Sequence, residues 1–223
     1  MEMEAIIRSI RTDLRLSMNG VVAASMREKG VHYRMNFGVD LMRIREIAGK
    51  YTPDAMLAEQ LWGEDVRELK ILATLLYPVD LFAKETAGRW GEEIANQEIR
   101  EQACRNLFQK TMFAGELVNQ WRGNVQEQVR TTAYWLCARL CITHAGALDT
   151  VETNLLLTDV TRDLKNGSFL LRQAALNVLK YYGRLSEGNR KDVLRRVSSF
   201  EDSSDPLERE VLDQLRFEFG MAD

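Results

Sequence analysis

The stretch Arg89–Leu107, RWGEEIANQEIREQACRNL, contains the five-residue pattern that decides the fold: Ile99-Arg100-Glu101-Gln102-Ala103. An apolar residue is followed by Arg, two variable residues and Ala. The same pattern recurs as Val129-Arg130-Thr131-Thr132-Ala133 and as Leu171-Arg172-Gln173-Ala174-Ala175. Val66-Arg67-Glu68-Leu69-Lys70 is a weaker copy that lacks the Ala. The spacing of roughly 30–40 residues suits a unit of two helices. In each copy the apolar residue begins a buried stripe and the Ala lets a neighbouring helix approach. The Arg falls at the edge of the stripe, where it can pair with the next repeat or face a groove.

Working outward, the chain reads as helices joined by short loops, with no convincing strand. Met3–Leu16 is amphipathic, and Asn19-Gly20 breaks it. Thr52-Pro53 is expected to start a helix that continues over Asp54–Trp62, since Thr can cap and Pro fits the first position. Asp80–Trp90, Ile94–Phe108, Gln126–Cys141 and Leu148–Leu164 follow. Phe169–Tyr182 is expected to stop at Gly183. Asp205-Pro206-Leu207-Glu208 gives the last helix a cap, a Pro and an early acid in the right order.

Composition agrees with a water-exposed helical protein. Of 223 residues, 45% are hydrophobic and 28% charged, and only 3 are proline. That is enough chain for a real core, and we expect a single domain over residues 1–223. The formal net charge is −3 and the pI about 5.6, more acidic than most dedicated nucleic-acid binders. A local positive stripe remains compatible with that balance. Cys104, Cys137 and Cys141 make an odd count without framework spacing, as expected of reduced thiols in the cytoplasm. The first residues lack a signal-peptide core, and no run is long enough to span a bilayer.

The recurring pattern resembles the second helix of HEAT repeats. The expected fold is therefore all-α, an α-α superhelix of HEAT-like helical repeats with a concave groove. A second resemblance covers about Gly30 to Tyr182. It rests on Asn36-Phe37-Gly38-Val39, on Leu41 through Ala48 (LMRIREIA), on Leu57 through Trp62 (LAEQLW), on Arg67 through Ala73 (RELKILA), and on Trp90 with the helix after it. In this order the segments resemble the HEAT-repeat DNA alkylation repair glycosylases of the AlkD kind.

The resemblance implies removal of cationic N3- or N7-alkylated purines from double-stranded DNA, without a cofactor. A carboxylate would stabilise the positive charge that develops on the sugar as the base leaves. The family's Trp and catalytic Asp, four residues apart, fall on Gln97 and Glu101 here. Glu101 is thus the catalytic candidate. A family Arg falls on Arg130, and another Trp falls on Asn177. Arg172 and Trp90 complete the DNA-binding or groove candidates, Trp90 as a ring available to a base. With two aromatic positions replaced and the acid lengthened by a methylene, glycosylase activity is expected to be weak or lost. The alternative is a HEAT-type scaffold for a protein or peptide partner. In either case we expect a cytoplasmic monomer that does not associate with membranes.

Other constellations carry less. Cys137, Cys141 and His144 share a helix face at i, i+4 and i+7 but lack a fourth zinc ligand, so core packing is the expected role. No metal site is expected. No phosphate loop, nucleophile elbow or HExxH motif occurs.

Overall fold

A computed structural model describes residues 2–221. The helices are α1 (Glu2–Leu16), α2 (Gly20–Glu28), α3 (Leu41–Ala48), α4 (Ala55–Trp62), α5 (Arg67–Leu76), α6 (Lys84–Glu93) and α7 (Gln97–Asn106). They continue as α8 (Ala114–Trp121), α9 (Glu127–Thr143), α10 (Thr153–Asn166), α11 (Phe169–Leu185), α12 (Glu187–Arg196) and α13 (Pro206–Glu218). Short 3-10 turns fill four of the connections. Among the described residues the extended backbone pairs only at an isolated parallel bridge, Met35 with Val66. The chain is all-α, with HEAT-like helical repeats.

Helix boundaries follow capping chemistry. Asp54, not Thr52, caps α4: its carboxylate accepts from the Leu57 backbone N–H at 2.7 Å. Pro53 accordingly sits before the helix, where Asp is the stronger acceptor for a free N–H of the first turn. Asp205 caps α13 as expected, with Pro206 in its first turn. Three expected helices begin late. Val79–Leu81 and Gly146–Thr150 are 3-10 turns, so two of the α-helices start at Lys84 and Thr153, and the third starts at Gln97, after its cap Asn96. Gly183 does not end α11, which runs on to Leu185. A Cβ on Gly183 would lie 2.3 Å from the Phe219 ring, so this glycine serves close approach rather than termination.

The chain divides into two compact units. The first comprises Met1–Thr86 and Ala95–Thr111. Within it α4 packs on α5, and α5 also touches α3 and α7. Consecutive helices thus pair while alternate helices stack, as in a solenoid. The connector of residues 31–39 is irregular, and its backbone donors need partners. Glu68, fully buried, supplies them by accepting from the N–H groups of Phe37 (3.1 Å) and Val39 (3.2 Å). Arg67, 1% exposed, neutralises that carboxylate at 2.9 Å and donates to the Val39 carbonyl at 2.7 Å. Gly38 closes the connector at φ +70°, and a Cβ there would meet the Asn19 carbonyl oxygen at 2.1 Å.

The second unit comprises Ala87–Ile94 and Met112–Asp223. Here α8 packs on α9, α10 on α11, and α9, α12 and α13 all contact α11. The repeat pattern does what its residue types imply. Ala103 in the first unit, and Ala133 and Ala175 in the second, are fully buried, as are Val129 and Leu171. Ile99 is 1% exposed.

Candidate functional site

In the first unit the N-terminus of α7 gathers a polar cluster. Asn96 caps the helix by accepting from the Ile99 N–H at 3.1 Å. Its amide Nδ2 donates to the Tyr33 hydroxyl at 2.8 Å, which ties the connector to this helix. One turn on, Gln97 and Glu101 lie side by side, as the four-residue spacing requires. Gln97 Nε2 donates to Glu101 Oε1 at 3.0 Å, and Arg100 Nη1 donates to Gln97 Oε1 at 2.7 Å. The Gln97 amide therefore has one orientation: oxygen toward the cation, nitrogen toward the carboxylate. Glu101 is half-buried, and Gln97 engages only one of its oxygens.

Beneath this pair Arg100 is 3% exposed. Burial holds its pKa below the usual arginine value, with Cys104 and Glu101 opposing. Burial likewise pushes the Tyr33 hydroxyl up to about 12, against the Asn96 hydrogen bond and with help from the Glu98 charge. Tyr33 thus stays a neutral hydroxyl at physiological pH. Glu98 on the same helix takes a two-pronged hydrogen bond from Arg67, at 2.6 and 2.8 Å. The cluster can accept a hydrogen bond or face a cation through Glu101. No aromatic ring adjoins Glu101 on α7, because Gln97 occupies the neighbouring position.

The remaining candidates lie in the second unit and are placed differently from one another. Trp90 is 0% exposed, which corrects its reading as a groove residue. A ring with no accessible face cannot stack on a base, and Trp90 acts in packing. Trp62 and Trp121 are buried as well. Arg130 Nε pairs with Asp163 at 2.8 Å, and its Nη1 donates to the Asn124 carbonyl at 2.8 Å. Asp163 is 3% exposed and also accepts from the Tyr134 hydroxyl (2.8 Å) and Arg162 Nε (3.0 Å). Arg130 thus pairs with the following repeat. Arg172 and Asn177 are half-exposed on α11. Among the described residues no carboxylate comes within ion-pair distance of Arg172. Cys137 and Cys141 are buried, while His144 ends α9 exposed at φ 49°.

These positions acquire a context from known proteins. The family model described as DNA alkylation repair enzyme matches residues 10–199. The chain belongs to that family. Among solved structures, it is similar to one described as "a new family of proteins related to the HEAT-like repeat DNA glycosylases with affinity for branched DNA structures". The TM-score is 0.71 over 96% of this chain and 94% of the other, at 13% identity, a level that speaks to fold alone. No curated protein matches the chain. Tyr33, near the N-terminal segment but out of register with the family's aromatic in the sequence, is joined by the structure to Asn96, which the sequence did not single out. The available signal was an aromatic in a connector bounded by two glycines, but nothing local shows that it reaches a residue 63 positions on.

No helix among the described residues is long and apolar enough to cross a membrane. No group of three or more His, Cys, Asp or Glu side chains there could hold a metal ion.

Proposed function

We propose that the protein binds double-stranded DNA in a concave groove of its repeats, with N-glycosylase activity toward N3- or N7-alkylated purines weak or lost. The observation that carries this reading is the Gln97–Glu101 pair. A family member keeps a part-exposed carboxylate at the position expected to face the sugar, yet its neighbour is an amide 3.0 Å away instead of an aromatic ring. A carboxylate can stabilise an oxocarbenium-like sugar. Here part of its charge is spent on the Gln97 amide, and the longer glutamate arm is less tightly placed. Arg172 and Asn177 are the part-exposed candidates of α11 left to meet DNA. Arg130 is taken up by its pair with Asp163.

The similar structure's description names affinity for branched DNA structures. We therefore extend the proposal to branched DNA as a ligand. Fluorescence anisotropy on duplex and branched oligonucleotides across a salt series tests it. Affinity should fall steeply with salt, as expected when phosphates are neutralised. In parallel, release of 7-methylguanine and 3-methyladenine from alkylated DNA should be low and should vanish in Glu101→Gln. Absence of DNA binding even at low salt refutes the reading. It would leave the HEAT-type scaffold for a protein partner, which the net charge of −3 favours.

A further inference from the structure

The second unit holds a cleft of about 170 Å³ between α11 and α13, far along the chain from Glu101. Leu164, Leu176, Leu207 and Val211 give it an apolar lining. Phe169, the first residue of α11, stands at the edge with its ring 70% exposed. Arg172 lies one turn further along the same face, without an ion-pair partner among the described residues. Gln173 adds an exposed amide. Glu210 adds a carboxylate whose Oε1 already accepts from Gln214 Nε2 at 3.0 Å.

We propose that this cleft holds one unstacked nucleotide of a bound DNA, with its base against Phe169 and its phosphate on Arg172. The proposal rests on the DNA-binding reading above and extends it to DNA carrying an unpaired segment. The argument is one of complementary chemistry. A nucleotide offers a flat π-face, an edge of donors and acceptors, and an anion. The cleft offers an exposed ring, an amide and a carboxylate, and a guanidinium. Base-on-aromatic stacking tolerates any base because every base has a π-face. The Glu210 carboxylate can accept from an exocyclic amino group, and Gln173 can donate or accept. An alkyl chain would leave these polar groups unanswered. The volume suits one ring-sized group better than a docked helix. Extruding a paired base from the duplex costs unstacking and unpairing energy, so an already unpaired nucleotide of a flap, gap or branch point is the favoured occupant.

The test uses the full-length protein and two labelled probes: a blunt duplex, and the same duplex with a single-stranded flap carrying 2-aminopurine. Wild type should prefer the flap, and 2-aminopurine emission should fall on binding as the base stacks. Phe169→Ala should lower the flap-to-duplex affinity ratio roughly tenfold and abolish the emission change. Because Phe169 is largely exposed, its truncation leaves the core intact. Arg172→Gln should lower flap affinity and flatten its salt dependence. Val125→Ala, at an exposed site outside the cleft, should leave the ratio and the emission change as in wild type. An unchanged ratio and unchanged emission in Phe169→Ala would overturn the cleft assignment while leaving DNA binding itself standing. Failure of wild type to bind either probe would remove the reading on which the proposal depends.

Discussion

Arg67 in the first unit and Arg172 in the second occupy the same place in the repeat pattern and live in opposite surroundings. Arg67 is 1% exposed and bound to two carboxylates and a backbone carbonyl. Arg172 is half-exposed at the rim of a cleft, and among the described residues it has no ion-pair partner. Arg130 lies between them in character, 14% exposed and paired with Asp163 of the next repeat. One motif thus yields a structural arginine or an available one. For Arg67 and Arg130 the following repeat supplies a carboxylate, Glu98 and Asp163. After Arg172 none comes within ion-pair distance among the described residues: Asp205 caps α13, Glu208 pairs with Lys165, and Glu210 accepts from Gln214.

The comparison breaks most sharply at Arg67. Arg67→Ala would leave Glu68 charged and fully buried, with only the backbone donors of Phe37 and Val39 to compensate. Removing one partner of a buried ion pair costs about 3–5 kcal/mol, since the other charge stays desolvated. Urea or thermal denaturation should show a loss of that order. A loss under about 1 kcal/mol, the range of surface pairs, would mean that Glu68 does not need the guanidinium.

Asp163 should give an intermediate effect with a pH signature. Burial alone would raise its pKa, but hydrogen bonds from Arg162, Tyr134 and Arg130 outweigh that and hold it below the usual 3.8. A carboxyl with a depressed folded pKa contributes stability that is fully present above the unfolded value. That contribution fades as pH falls through about 4 toward the folded value. Asp163→Asn should cost about 1–3 kcal/mol at neutral pH. It should also flatten the acid limb of the stability profile. A variant whose acid limb matches wild type would show that other carboxylates carry it.

How much of this was legible beforehand differs by residue. Helical periodicity and the Ile99, Val129 and Leu171 pattern gave the repeat, because those residues report burial on their own helix. The adjacency of Gln97 and Glu101 was legible for the same reason. Trp90 was misread because an aromatic beside charged residues looks alike whether it faces a groove or a core. Gly183 was misread because its reason, the Phe219 ring, lies 36 residues away (219 minus 183). For Arg130 the pattern pointed to an ion pair with a neighbouring repeat but could not name Asp163, and the bonds of Tyr33 to Asn96 and of Arg67 to Glu98 were not legible at all. These partners lie some 30 or more residues away, and helical periodicity carries no information about the next repeat's side chains.

The smallest effect on stability and the most discriminating one on function belong to Arg172. Replacing a partly exposed cation that has no ion-pair partner should change stability by less than about 0.5 kcal/mol. Arg172→Ala should therefore unfold like wild type under the conditions that separate Arg67→Ala. If Arg172 holds the phosphate of a nucleotide seated in the cleft, the same variant should lose affinity for the flap probe. The slope of log affinity against log salt should shrink by about one. The arginine that costs least to remove from the fold would then be the one that costs most to remove from binding. A variant that instead destabilises the protein by several kcal/mol, at an unchanged salt slope, would place Arg172 with Arg67. The motif would then be structural throughout.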